Sequence, residues 1–169
     1  MTVADFLALV EPQSPPPAEE AIAAFEAKIG SALPQNYRQF LARCGGGRLK
    51  DALWLNENVG VEDVAGFQVS RKDVTRSLPY YFDLYKGRIP TALVPIMSDG
   101  FGNKICLGIK GGHSGKVYFW DHELEYDEDD WTDDVSASEN IQLVASSFDE
   151  FVAGLREDPD AAENEKDHQ

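Results

Sequence analysis

Cysteine and histidine are scarce in this sequence, with only Cys44, Cys106 and three histidines among 169 residues. Two cysteines so far apart are too few for the disulfide framework of a small secreted protein, and they lack the paired spacing of a zinc site. No apolar run approaches the ~20 residues of a membrane-spanning helix, and the N-terminus lacks the basic region of a secretory signal. We therefore expect a soluble cytoplasmic protein with reduced thiols. Of the two cysteines, we expect Cys106 to be buried in a strand and Cys44 to be partly exposed at a helix end.

Basic residues are nearly absent from the last third of the chain. Residues 1–116 carry thirteen Lys and Arg against twelve Asp and Glu, whereas residues 117–169 carry two against eighteen. The net charge of −15 therefore arises in the last third. A field of this sign repels phosphate, which argues against nucleic acid and anionic membranes as direct ligands. It attracts a basic protein, although an acidic surface that only aids solubility has the same composition.

Apolar residues are plentiful enough for a real core, at 43% of the chain with nine Phe, six Tyr and three Trp. The length fits one domain. We expect three parts: a short N-terminal helix with a proline-rich segment at residues 1–17, the main domain at residues 18–155, and an acidic C-terminal tail at residues 156–169.

Helical spacing of apolar residues recurs along the chain and is bounded by proline and glycine. The proline-rich segment ends a first helix, Gly30 ends the second, and glycines 45–47 are expected to end the third. The fourth helix is expected to bury Tyr81, Leu84 and Tyr85. Ser147 is a predicted N-cap for the last helix. The predicted helices cover residues 3–10, 18–29, 33–41, 77–86 and 147–155.

Alternating apolar residues and glycine-rich turns predict strands in the second half of the chain. Residues 93–97, 104–109 and 116–121 form an antiparallel meander, because short turns at 99–103 and 111–115 join them. Residues 52–55 are an earlier strand, residues 140–144 are a further candidate, and residues 56–77 give no clear pattern. The order of helices, meander and closing helix predicts an α+β fold, with helices covering one face of a small antiparallel sheet.

Motifs in this order resemble the SMI1/KNR4 family of the SUKH superfamily, over residues 19–155. The resemblance includes an acidic-aromatic first helix, a second helix that begins with Leu-Pro and leads to a glycine pair, a strand meander with glycine turns, and a final Ser-Phe helix. One departure is Cys44, where family members often have asparagine. The matching residues are Phe25-Glu26, Leu33-Pro34, Tyr37, Phe40-Leu41, Gly45-Gly46, Val94-Pro95-Ile96, residues 99–103, Ile105-Cys106-Leu107, Gly115, Val117-Tyr118, Trp120-Asp121, Ser147-Phe148 and Phe151.

The resemblance implies a domain that binds another protein and catalyses nothing. Many bacterial members look like immunity proteins that block the active site of a toxin, often a nuclease or a deaminase. Eukaryotic relatives resemble regulatory scaffolds, so a cytoplasmic scaffold or adaptor is the alternative. An immunity protein should bind one partner tightly, with an association rate that depends on salt, whereas a scaffold should bind several partners weakly.

Residues 121–134 are the candidate partner-binding segment, since they hold nine acidic residues, two aromatic residues and no Lys or Arg. Such a run can replace the phosphate backbone in the basic cleft of a toxin, with the aromatic residues as anchors. A solvated loop without function has the same composition. The candidate contact residues are Asp121, Glu123, Glu125, Tyr126, Asp127, Glu128, Asp129, Asp130, Trp131, Asp133 and Asp134.

The sequence contains no pattern typical of a calcium-binding loop, a phosphate-binding loop or a serine hydrolase. The acidic segment lacks the central glycine of a calcium-binding loop, and the glycine-rich turns join strands rather than open helices as phosphate-binding loops do. Gly112-His113-Ser114-Gly115 lacks the spacing of a nucleophile elbow. We therefore predict no catalytic residue, no metal site and no cofactor, and the oligomeric state stays open. An enzyme that uses a pair of acidic residues is the least favoured alternative, because nothing in the sequence marks a particular pair.

Overall fold

The computed structural model describes residues 1–67 and 76–157. Within these ranges the fold is α+β with an antiparallel sheet, which confirms the predicted class. The helices are α1 (Val3–Leu9), α2 (Glu19–Ile29), α3 (Gln35–Leu41), α4 (Leu78–Leu84) and α5 (Phe148–Gly154). The strands are β1 (Val10–Pro12), β2 (Gly47–Asn56), β3 (Val59–Val64), β4 (Leu93–Ser98), β5 (Lys104–Gly108), β6 (Val117–Trp120), β7 (Ile141–Ala145) and β8 (Arg156–Glu157).

The strands form one antiparallel sheet in the order β1-β2-β3-β4-β5-β6-β7, and β8 pairs with β2. All neighbours from β1 to β7 are consecutive in the chain. Short connections join β2 to β3, β4 to β5 and β5 to β6, whereas α2 and α3 lie between β1 and β2, and α4 lies between β3 and β4. In the central meander, Leu107 lies opposite Val94 on one side and Val117 on the other. The turns between β2 and β3 and between β4 and β5, together with the chain after β6 and before β7, contribute to one cleft, described below.

Side-chain caps and prolines set the helix ends where the sequence places them. Thr2 accepts a hydrogen bond from the Asp5 N–H and completes a capping box for α1. Ser77 accepts from the Tyr80 N–H at the start of α4, and Ser147 accepts from the Glu150 N–H at the start of α5. Gly30 ends α2 in the left-handed conformation. These ends agree with the sequence predictions to within a few residues.

The main core lies between the helices and one face of the sheet. Aromatic residues of the helices are its largest buried side chains. Among them, Tyr37, Phe40 and Phe148 form a mutually packed group with ring centroids 5.0 to 6.0 Å apart. The opposite face of β4 to β6 is covered too, since neighbouring residues of a strand point to opposite sides. There a smaller second cluster contains Ile89, Leu93, Cys106, Tyr118, Trp120 and Val135. The central strands are therefore buried on both faces.

Glycines 45–47 have a different role from the predicted one. Helix α3 already ends at Leu41, so the glycines do not terminate it. A Cβ on Gly45 would lie 2.3 Å from the carbonyl oxygens of Ser14 and Pro15, and one on Gly47 would lie 2.0 Å from the carbonyl oxygen of Glu11. The glycines are therefore required because the proline-rich segment packs directly against this stretch of backbone.

Two local predictions, for Leu84 and Cys44, were wrong. Leu84 is 45% exposed rather than buried, because α4 packs through Leu78 and Tyr81. Cys44 is buried rather than partly exposed, and its Sγ accepts a hydrogen bond from the Gly46 N–H. Strand β3 forms within residues that showed no clear pattern. Residues 68–75 and the acidic tail beyond residue 157 lie outside the described residues.

Candidate functional site

The acidic segment, residues 121–134, follows β6 and crosses the end of the sheet as an irregular loop, called the acidic loop below. It leads to the buried Val135 of the second cluster. At its beginning, the Asp121 N–H donates to the Asn140 carbonyl over 2.9 Å, and the His122 N–H donates to Asn103 Oδ1 over 3.0 Å. The loop is therefore joined to both the β4–β5 turn and the start of β7.

Four side chains of the acidic loop form contacts that hold the loop itself. Glu125 forms a bidentate ion pair with Arg88, at 2.5 and 2.7 Å. Asp133 accepts hydrogen bonds from the Thr91 N–H and hydroxyl, and Tyr126 Oη accepts from the Glu139 N–H over 2.7 Å. Asp134 accepts from the Ser136 N–H within the loop's own end. These contacts fix the backbone of the loop.

Trp131 is half-buried, and its indole Nε1 has no hydrogen-bond partner among the described residues although the atom is buried.

The carboxylates between the loop anchors are exposed to solvent instead of holding the loop. Residues 127–130, called the outer turn, are all exposed and closed by a hydrogen bond from the Asp130 N–H to the Asp127 carbonyl. Within the part of the chain that the structure describes, none of their carboxylates forms an ion pair.

Asp121 and Glu123 lie apart from the outer turn and line an open cleft of about 500 Å³. The cleft is bounded by the β2–β3 turn, the β4–β5 turn, the first residues of the acidic loop and the start of β7. The structure thus divides ten of the eleven predicted contact residues into loop anchors, the outer turn and the cleft wall, and the half-buried Trp131 belongs to none of these groups. It also brings to the cleft residues that the sequence reasoning had not selected.

Five carboxylates line the cleft, and no Lys or Arg does so among the described residues. They come from separate parts of the sequence, and none is in an ion pair formed by residues 1–67 and 76–157. Asp99 is buried and organises the β4–β5 turn, accepting from the N–H groups of Phe101 and Asn103 and from the Asn103 amide. The cleft carboxylates are Glu57, Asp99, Asp121, Glu123 and Glu139.

Large apolar side chains lie among these carboxylates. Phe101 at the tip of the β4–β5 turn is 69% exposed and Leu124 is 60% exposed, more than any other large apolar side chain in the described residues. Trp54 on β2 packs against Phe101 with ring centroids 6.4 Å apart. A sequence signal existed for Phe101, because a phenylalanine between two glycines in a polar turn has no core to enter. Trp54 had no such signal, because its place in a short apolar run predicts an ordinary strand residue.

Two further titratable groups, Lys104 and Cys106, are buried on β5. Burial raises the pKa of the Cys106 thiol far above its ordinary value, and burial also lowers the pKa of Lys104. Both thiols are free and buried. Among the described residues, no group of three or more His, Cys, Asp or Glu side chains could hold a metal ion. No helix in the same ranges is long and apolar enough to cross a membrane.

A small α+β domain with an open cleft of carboxylates and exposed apolar side chains has the features of a protein-binding domain. Comparison with known proteins agrees, because the sequence model of the SMI1 / KNR4 family (SUKH-1) matches residues 16–154. The chain belongs to the SMI1/KNR4 family, a family of protein-binding and immunity-type domains.

One relative is an uncharacterized SPbeta prophage-derived protein, YokK, from Bacillus subtilis (strain 168). It is 31% identical over an alignment of 166 positions, and the alignment covers 88% of this chain and 79% of the relative. A crystal structure of a protein from Pseudomonas syringae pv. tomato aligns with a TM-score of 0.49 at 19% identity, covering 76% of this chain and 96% of that chain.

Proposed function

We propose that this protein is a cytoplasmic immunity protein that binds a cognate toxin domain, of the nuclease or deaminase type, and neutralises it. The observation that carries the proposal is the combination of SMI1/KNR4 membership with a net charge of −15 that arises after residue 116. Toxins that act on nucleic acids have basic active-site clefts. A protein with an acidic surface at one end is complementary to such a cleft.

The acidic loop is the proposed contact segment. The exposed carboxylates of the outer turn are available to the partner, because no described basic residue neutralises them. The anchors at Glu125, Tyr126 and Asp133 hold the loop backbone in place before binding. A preorganised loop loses less conformational entropy on association than a free one does, which favours tight binding.

Neutralisation follows from occupation of the toxin's cleft. Carboxylates that take the place of substrate phosphates exclude the substrate without any chemical step. Leu124 of the loop, together with Trp54 and Phe101 in the adjoining cleft, supplies apolar area, which charged groups alone cannot. The protein therefore needs no catalytic residue, metal or cofactor of its own for this function.

The experiment that tests the proposal is an affinity capture from native lysate, with washes at rising salt and mass spectrometry of the retained proteins. We expect one stoichiometric partner that carries a basic toxin domain. Expression of that domain alone should stop growth of a test strain, and co-expression of this protein should restore it. Several substoichiometric partners, or a partner whose toxicity is unchanged by co-expression, would contradict the immunity function and favour a scaffold.

A further inference from the structure

We propose that the cleft, rather than the outer turn, is the specific recognition site, and that it takes an arginine side chain presented on an exposed segment of the partner protein. This inference rests on the proposed function only in taking the partner to be a protein. It adds the position of the site and the chemistry of its occupant, neither of which follows from the acidic composition.

No ion pair among the described residues neutralises the cleft, although the Lys104 charge interacts with Asp99. The five carboxylates of the cleft come from four separate segments, and none forms an ion pair with a described Lys or Arg. Elsewhere the described chain pairs partly buried carboxylates, as Glu26 pairs with Arg38 and Glu125 with Arg88. A concave surface that collects carboxylates without a cation concentrates negative potential, and a cation from outside is its complement.

The apolar side chains of the cleft favour an arginine side chain over a lysine side chain. Trp54 and Phe101 place aromatic rings beside the carboxylates, and the exposed Leu124 lies on the same cleft. A planar guanidinium can stack on an aromatic face while its N–H groups bond carboxylates in a fork, whereas a strongly hydrated ammonium does so less well. The combination favours arginine over lysine.

The aromatic wall is also held in position before any partner arrives. Trp54 lies over Gly60 of the neighbouring strand, where an added Cβ would come within 3.0 to 3.2 Å of the indole ring. Phe101 is set by the β4–β5 turn, whose N–H groups bond the buried Asp99. A rigid wall lowers the entropic cost of binding.

Asn140 supplies a neutral acceptor in the same wall. Its side chain is 95% buried and lines the cleft, and Nδ2 donates to the Asp121 carbonyl over 3.3 Å. Its Oδ1 accepts no hydrogen bond from the described residues in this orientation of the amide. A guanidinium has five N–H donors, so a carbonyl-type oxygen between carboxylates gives it a further partner. At about 500 Å³ the cleft has room for the arginine together with neighbouring residues of its segment.

The test uses a capped hexapeptide of arginine as the probe and the citrulline hexapeptide as its uncharged match. Binding is followed by two-dimensional NMR of the full-length ¹⁵N-labelled protein and by isothermal titration calorimetry. We expect the shifts to concentrate at the Trp54 indole, the Phe101 amide and the Asn140 side-chain amide. The citrulline peptide should bind at least about tenfold more weakly, because it lacks the charge.

Two triple variants with the same loss of charge separate the cleft from the outer turn. The variant E57Q/E123Q/E139Q should weaken arginine-peptide binding at least about tenfold, and F101A should weaken it several-fold. The control E128Q/D129N/D130N should change it by no more than about threefold, since distant charges act only through the screened field. All six acidic positions are exposed, so we expect both variants to fold.

Equal weakening by both triple variants, or shifts centred on residues 127–130, would show diffuse attraction and overturn the inference. Capture of the protein partner separates this from the proposed function. If the partner is a toxin and E57Q/E123Q/E139Q retains it as well as the wild type does, the cleft assignment is wrong and the immunity function stands. If the peptide binds in the cleft and the partner is not a toxin, the cleft assignment stands and the immunity function fails.

Discussion

Arg88 and Lys104 place two cations against the aromatic side chains of the second cluster. The Arg88 guanidinium carbon lies 4.7 Å from the Tyr85 ring centroid and 5.5 Å from that of Trp120. Lys104 Nζ lies 5.2 Å from the Tyr85 centroid and donates to the carbonyls of Gly102 and Asn103. Arg88 has the Glu125 carboxylate as its counter-charge, whereas Lys104 has no ion-pair partner among the described residues.

Replacement of Lys104 by methionine tests the effect of this buried charge on stability. Burial lowers the pKa of Lys104 in the folded state below its unfolded value of about 10.4. Between the two pKa values the unfolded chain holds a proton that the folded chain has lost, so the free energy of unfolding rises with pH. The wild type should therefore gain stability relative to K104M as the pH rises through the folded-state pKa. The relative gain ends above about pH 10.4.

Urea unfolding of both proteins from pH 7 upward measures this difference. Burial raises the pKa values of Tyr37 and Cys106, so these groups make stability fall at high pH. Both proteins contain Tyr37, so the comparison cancels its effect. The positive charge of Lys104 lowers the pKa of Cys106, so the two proteins are compared in a Cys106→Ala background, which removes that coupled group. A constant difference between wild type and K104M across the whole range would contradict the prediction.

At the scale of elements, the contact between the proline-rich segment and glycines 45–47 connects the N-terminus to the sheet. Gly45→Ala should lower the free energy of unfolding by about 2 kcal/mol, because its Cβ would meet backbone oxygens rather than a flexible side chain. Gly112→Ala is the matched control, since a Cβ there meets nothing within 4 Å. Thermal and urea unfolding of both variants measures the difference. Equal stabilities would show that the backbone moves apart at little cost.

The elements that the sequence predicted are those whose signals are local. Helix α5 has its N-cap at Ser147 and its apolar face within a few residues, and the β4–β5 turn has Asp99 and two glycines at its tip. Strands β1 and β3 lack such signals. Pro12 made β1 look like a spacer, and Gly60 with the pair Glu62-Asp63 interrupts the alternation of β3. Both are strands because β2 pairs with them, which is a tertiary cause.

The whole molecule explains why the cleft could not be predicted while the acidic loop could. The loop is a continuous segment, so its composition is visible in a short window of sequence. The cleft instead combines Glu57, Phe101, Glu123 and Glu139, which only the order of strands brings together. Charge asymmetry along the chain indicated the kind of partner, and the fold indicates where on the surface the partner's cation would enter.

The outer turn and the cleft should affect different rate constants. Charges at the edge of an interface steer encounter and change the association rate, whereas groups in contact mainly change dissociation. With the basic partner from the capture experiment, D127N/E128Q/D129N/D130N should slow association about three- to tenfold at 25 mM salt and leave dissociation unchanged. The effect should largely disappear at 300 mM salt, because the Debye length then falls below about 8 Å.

Biolayer interferometry over that salt range separates the two rate constants. The matched control is E11Q/E20Q/D51N/D149N, which removes four exposed carboxylates outside the acidic loop. If the control slows association as much as the outer-turn variant does, net charge alone steers the partner and the position of the acidic loop is irrelevant. If the outer-turn variant instead speeds dissociation, these carboxylates touch the partner directly, and the contact extends from the cleft along the whole loop.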